Sequence, residues 1–184
     1  MDLLSFLRTQ VRANRLANRR LHAAMMGLSR DDFHAPRTSF FPSLALTLNH
    51  ILAVDVYYLA ALHGEADMRA QWQALQVCDT MDQLATAQAL ADKRFIALLD
   101  SLSAPQLDEV IDLDRGDQIQ RERLGNVIAH LLNHQVHHRG QAHAMLAGAA
   151  IVPPQLDEFL MPSEAHLRSA DMAALAWREN ELFG

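Results

Sequence analysis

The sequence predicts an all-α fold: an up-and-down four-helix bundle with a small hairpin before its fourth long helix and an additional C-terminal helix. Three observations carry this expectation. Apolar residues recur at helical spacing over four long stretches. Only 6 prolines and 7 glycines punctuate 184 residues, which leaves room for long helices and few elaborate turns. With 50% hydrophobic and 21% charged residues, the chain has the make-up of one globular domain over 1–184, its core at about 3–147 and a C-terminal extension at about 153–182.

The first helix is read from residues 3 to 28, where Leu4, Leu7, Val11, Asn14, Asn18, Leu21, Met25 and Leu28 form a seam with no Gly or Pro through Met26. Asn14 and Asn18 interrupt that seam, and inward-facing amides need partners. They are either plain interface asparagines or braces for a loop or polar centre. Asp31 to Pro42 reads as turn-like. Ser43 then caps a second helix through Leu62, with Leu44, Leu48, Ile51, Asp55, Tyr58 and Leu62 on one arc.

Residues Glu65 to Asp79 read as a connector with a short helix around Trp72, before a third helix from Thr80 to Leu102, and this long link also admits a crossing connection as the alternative to up-and-down order. Glu109–Asp112 and Gln118–Gln120 flank a polar Asp-Arg-Gly-Asp centre, which suggests a hairpin. The fourth helix is expected from Glu122 to Leu146, and Gly140 inside it costs about 1 kcal/mol relative to Ala. Beyond Pro153-Pro154, a last helix is expected over Glu164–Glu181, with Leu167, Ala170, Ala174 and Trp177 covering the bundle or meeting another subunit.

The single cysteine, Cys78, excludes an intrachain disulfide and any cysteine-rich metal site, so a cytoplasmic location is the expectation. No stretch reads as a signal-peptide core or an unbroken membrane span, and no membrane partner is expected. The formal charge of −6 disfavours binding to nucleic-acid phosphates. Arg8, Arg12, Arg15, Arg19 and Arg20 share a local basic face, read as a solvated side.

Ten histidines are the compositional oddity. In His130-Leu-Leu-Asn133-His134-Gln135-Val-His137-His138-Arg139-Gly140-Gln141, residues four apart point the same way, so His134 and His138 can offer imidazoles to one ion. His130 and His138 are separated by about 12 Å along a helix axis, too far for one ion to reach both. The segment resembles the zincin pattern His-Glu-x-x-His with Gln135 in the glutamate position. An amide cannot serve as general base, so a metallopeptidase is not expected.

The third ligand must come from a facing helix. His50 is polar on a mostly apolar helix, near its start, opposite the later half of an antiparallel fourth helix; His63 lies near the wrong end. Three imidazoles and an exchangeable position make an open reactive centre rather than a closed structural one. Zinc suits imidazole ligation, and nickel, iron and manganese fit it as well.

Asn133-His134-x-x-His137-His138-Arg139-Gly140-Gln141, preceded by His130, together with Asn49-His50, Asp55, Asn14-Arg15, Asn18-Arg19-Arg20 and Pro153-Pro154-x-Leu156-Asp157, closely resembles the DinB/YfiT-like superfamily of bacterial helical-bundle proteins. The resemblance covers nearly the whole chain. It implies a four-helix bundle, commonly dimeric, holding one divalent ion per chain, zinc or nickel foremost, on His50, His134 and His138. It also implies kinship with metal-dependent thiol transferases and isomerases that use low-molecular-weight thiols, while many members have no assigned reaction.

The expected function is therefore a metal-dependent transfer of a small thiol, or hydrolysis of a small molecule, at a position open to water or thiol. A non-enzymatic metal-binding stress-response or interaction protein is the alternative. His130, Asn133, His137, Gln141, Asp55, Asn14 and Arg139 are the candidates for orienting the ligands or lining the pocket. Asp55 points away from His50, and Arg139 is read as pairing with a carboxylate rather than with substrate. Cys78 lies in a connector without an evident base and is not expected to act as a nucleophile.

Overall fold

The computed structural model describes residues 2–183. In chain order it forms α1 (Leu3–Met25), α2 (Arg30–His34), α3 (Leu44–Leu62), α4 (Met68–Ala74), α5 (Met81–Ser101), a 3₁₀ turn (Ala104–Asp108), β1 (Val110–Asp114), β2 (Ile119–Arg123) and α6 (Leu124–Leu146). Short polar residues fix the helix starts by accepting free amides: Asp2 from Ser5, Ser43 from Leu46 and Thr80 from Gln83. The chain is mostly helical, as its periodicity predicts. The segment beginning at Asp31 is not turn-like throughout, because Ser29 caps the short helix α2.

α1 and α3 each pack against α5 and α6. Arg8 donates to the carbonyls of Leu99 and Leu102 while Arg15 meets Asp92, so α1 and α5 are antiparallel. His50 lies against His138 while Tyr58 lies against His130, so α3 and α6 are antiparallel too. α3 and α5, however, run the same way: Asn49 bonds Cys78, Asp55 bonds Gln88, and Glu65 bonds Arg94.

The expected up-and-down alternation is thus corrected, with the chain crossing the length of the helices between α3 and α5. A 21-residue helix such as α5 is about 30 Å long. The connector over 63–80, with α4 inside it, has the reach for that crossing.

The expected hairpin forms, with Leu113 opposite Gln120 and Ile111 opposite Glu122. Leu113 is buried, and the Tyr57 hydroxyl donates to the Asp114 carbonyl at 2.7 Å, which fastens the hairpin to α3.

Two expectations about the surface are overturned. The single helix over Glu164–Glu181 is instead a 3₁₀ turn (Pro162–Leu167), α7 (Ser169–Leu175) and α8 (Glu179–Phe183). Ala176 adopts a left-handed conformation with φ 56°, which ends α7. Arg168 is fully buried, held by the Met161 carbonyl and Glu179. The inward residues of α7 are consequently Asp171 and Met172, while Leu167, Ala170 and Ala174 are exposed; of the four residues expected to cover the bundle, Trp177 alone packs inward. Met172, Phe159 and Leu182 form a second small core with Ala13, Leu16 and Ala17 of α1.

Nor are the α1 arginines a solvated face. One terminal nitrogen of Arg12 donates to both carboxylate oxygens of Asp100, Arg15 is buried against Asp92, and Arg19 and Arg20 both meet Asp171. They tie α1 to α5 and to the C-terminal segment. α3 also departs from expectation: by length and composition it could cross a membrane, yet most of it is buried against its neighbours, with Asp55 at its centre.

Candidate metal centre

α3 and α6 run antiparallel at a spacing that places His50 beside one turn of α6. His134 and His138, one turn apart on that helix, complete a cluster whose ligand atoms all lie within 4.8 Å of one another. The ring centroids are 4.9 Å (His50–His134), 4.6 Å (His50–His138) and 4.4 Å (His134–His138) apart. The Nε2 atoms of His50 and His134 are 3.0 Å apart. Two imidazole nitrogens on one tetrahedral zinc lie roughly 3.3 Å apart, given bonds of about 2.0–2.1 Å, so this pair already stands within a few tenths of an ångström of a shared ion's requirement.

The donor chemistry fits as well. Burial, together with the neighbouring imidazoles, pushes the His134 pKa down to about 3. Burial lowers His50, aided by His138, and lowers His138 against the opposing hydrogen bond from Gln141. All three rings are therefore neutral near pH 7, with lone pairs to donate. His138 Nδ1–H donates to Gln141 Oε1 at 2.8 Å, which fixes the tautomer with Nε2 free for a ligand bond. His134 Nδ1 is buried and has no partner among the described residues.

Gln141 is thus the oriented support of a cluster histidine, and its Nε2 in turn donates to His137 Nε2 at 3.1 Å. Phe41 was not foreseen. Its ring stacks 4.4 Å from His50 and 5.6 Å from His138, forming an apolar wall; its place directly before Pro42 and the start of α3 was the only hint.

The remaining candidates separate into two groups. His130 stays at the cluster's edge, meeting Tyr58 edge to face at 5.3 Å and lying 6.5 Å from His134. Asn133 lies on another flank of α6, in a hollow shared with Gln10 and Ala13 of α1. Asp55, Asn14 and Arg139 do not reach the cluster; they belong to a buried polar layer beneath it. There Gln88 and Gln135 donate to Asp55, Gln88, Asn18 and Arg15 donate to Asp92, and Arg139 donates to Asn14 and Asn18.

Desolvation raises both carboxylates of this layer, Asp55 well above the usual range, and lowers Arg139 to about 10. Arg139 bonds asparagines directly, not the carboxylate expected for it, although Asp92 and Asp55 lie near enough to favour its charge. Gln135, in the zincin glutamate position, is turned into this layer. Cys78 is buried, which pushes its thiol pKa up and away from the nucleophilic form.

A cleft of about 470 Å³ opens beside His50 and His134. Val54 and Trp72 give it apolar walls, and Tyr57, Tyr58 and His130 give it polar edges. Arg69 from α4 and Arg115 from the hairpin turn stand at its rim. Volumes of 300–1,000 Å³ suit small organic ligands. None of Trp72, Arg69 or Arg115 was foreseen as part of the site, because they reach it only through the docking of α4 and the hairpin on α3.

Among curated proteins, the chain is similar to Protein DinB of Bacillus subtilis (strain 168), at 23% identity over 156 residues, covering 78% of this chain and 87% of that protein. The model of the DinB family matches residues 4–173, from the first turn of α1 into α7, and the chain belongs to that family.

Proposed function

We propose that the chain binds one divalent ion, zinc or nickel foremost, on His50, His134 and His138, and acts on a small molecule in the adjoining cleft as a thiol S-transferase or hydrolase. The observation that carries this reading is the convergence of three neutral imidazoles, two of which, His50 and His134, line a cleft of small-molecule size. When bound, the ion would supply the Lewis acidity that favours the deprotonated form of a thiol or water. The chain's own part is to hold the rings: Gln141 orients His138, Phe41 shields His50, and Val54 and Trp72 offer apolar surface to the substrate. In this reading the four long helices form a closed bundle and the chain pairs as a homodimer.

The test begins with ion stoichiometry. About one ion per chain is expected, with strong loss of affinity in His50→Ala, His134→Ala and His138→Ala; affinity retained in all three would overturn the site. A panel of cellular thiols with small electrophiles then tests turnover. A folded, loaded protein inert across a broad panel would favour a metal-binding role without catalysis.

A further inference from the structure

We propose that the small molecule bound in this cleft carries an oxyanion, a carboxylate or a phosphate ester, held by Arg115 and Arg69 across from the three histidines; this rests on the cleft being the substrate site. Most arginines of the chain are neutralised within the fold, as in the pairs of Arg12 with Asp100, Arg20 with Asp171 and Arg168 with Glu179. Arg8 and Arg37 are spent on backbone carbonyls, and Arg139 sits among asparagines close to two buried carboxylates. Arg69 and Arg115 have no carboxylate partner among the described residues, and both line the one cleft that the histidines face.

Arg115 is preorganised. Its Nε–H donates to Gln120 Oε1 at 2.9 Å, one terminal nitrogen donates to the Tyr58 hydroxyl at 3.0 Å, and the guanidinium carbon lies 5.4 Å from the centroids of both the Tyr57 and Tyr58 rings. These neutral acceptors fix the group and leave its charge uncompensated. Its remaining N–H groups keep the planar fork that recognises carboxylate and phosphate oxygens.

Arg69 packs against the same turn, at Gly116. That glycine has φ +97°, which favours glycine, and the Arg69 guanidinium lies in the space that a Cβ there would take. Two like charges gathered at one hairpin turn repel each other. The carboxylate in the cleft, Asp114, accepts from the Gly116 N–H at 2.7 Å and forms no ion pair with either arginine. Two cations against one carboxylate leave the rim net positive, and an incoming oxyanion supplies the remaining countercharge.

The experiment titrates the full chain, zinc-loaded and metal-free, with 3-mercaptopropionate, its neutral amide 3-mercaptopropanamide, and 2-mercaptoethyl phosphate, reading binding by calorimetry. Propionate and inorganic phosphate serve as non-thiol probes of the metal-free chain. In the loaded wild type, an anionic thiol is expected to bind about ten-fold or more tightly than the amide, as charge-assisted hydrogen bonds allow. Arg69→Gln/Arg115→Gln should erase that preference while leaving ion stoichiometry and amide affinity unchanged, and Arg115→Lys should keep only part of it.

The thiol that shows the arginine-dependent gain identifies the oxyanion. Equal affinity of charged and neutral thiols, or a preference that survives the double substitution, overturns the proposal while leaving the metal centre standing. If no ion is taken up, the metal reading fails separately. Arginine-dependent binding of propionate or phosphate to the metal-free chain then supports the subsite, and its absence there overturns it.

Discussion

Gln141→Ala removes a side chain that touches no ion, yet it is expected to weaken ion binding about 10- to 100-fold, roughly 1.4–2.7 kcal/mol. The structural basis is the 2.8 Å bond from His138 Nδ1–H to Gln141 Oε1, which sets both the ring's orientation and the nitrogen left to ligate. The same bond raises the proton affinity of His138, so its loss lowers that pKa further. Competition with protons cannot therefore explain a weaker site at pH 7 to 8, where the ring is neutral in both proteins. The loss would report orientation and basicity of the free nitrogen. Gln141→Glu, which keeps an acceptor and adds charge, should retain or improve affinity. His137→Ala, one step further out on an exposed ring, should change it by no more than about three-fold, since the bond it removes acts only through Gln141. Competition against a chromophoric chelator at pH 7 and 8, with circular dichroism as the folding control, provides the measurement. Affinity of Gln141→Ala within two-fold of the wild type would refute the assignment of Gln141.

Asp92→Ala would leave buried Arg15 without its carboxylate and should cost about 3–5 kcal/mol, read as a lower urea midpoint; a loss below about 1 kcal/mol would mean that solvent reaches Arg15. His22 is buried beside Arg15 and Arg139, and burial foremost lowers its pKa from 6.5 to about 3. Below pH 6.5 the unfolded chain therefore takes up a proton that the folded chain refuses, so stability falls as pH drops toward 3, by about 1.4 kcal/mol per pH unit from this residue, and is unaffected above that window. Asp55 and Asp92 contribute the opposite slope, because their raised pKa values favour the folded state while they are protonated, so the comparison with His22→Gln isolates the histidine. Denaturant titrations of both proteins between pH 4 and 8 should diverge on the acid side, and parallel curves would contradict the assignment. Gly140→Ala should stabilise the protein by up to about 1 kcal/mol, since an added Cβ meets nothing within 4 Å; calorimetric melting that shows a lower midpoint would indicate a constraint on that face of α6.

What the sequence makes legible here is what repeats locally. The long helices follow from apolar spacing and polar caps such as Ser43 and Thr80, and the i, i+4 histidines follow from helical geometry. The hairpin was visible because a polar turn separates alternating arms. Tertiary docking was not visible. Nothing in the spacing around Asp92, between Ala91 and Lys93, points to a partner, yet it faces Arg15 and Asn18 from α1. Arg115 reads as the tip of a polar turn until Tyr57 and Tyr58 are seen to hold it. The C-terminal periodicity suggested one helix because the left-handed Ala176 and the burial of Arg168 have no signature in residue spacing.

The polar layer and the histidine cluster are coupled by adjacency. On α6, Gln135 and Arg139 each follow a cluster histidine by one residue, which rotates them about 100° around the helix from His134 and His138. Gln135 is anchored to Asp55 and Arg139 to Asn14 and Asn18, so the interior fixes the rotation of α6, and that rotation turns His134 and His138 toward α3. Asp55 also lies on α3, five residues beyond His50, so its bond to Gln135 sets the relative register of the two helices that supply the imidazoles. Sliding α6 by one turn, about 5.4 Å, would break that bond and carry the histidines past His50 together. A wholly apolar interface would tolerate such slippage better, because hydrophobic contact is non-directional. Burying amides and charges costs stability when any partner is missing. In return, the directional bonds of this layer specify the one alignment of α3 and α6 in which three neutral imidazoles meet.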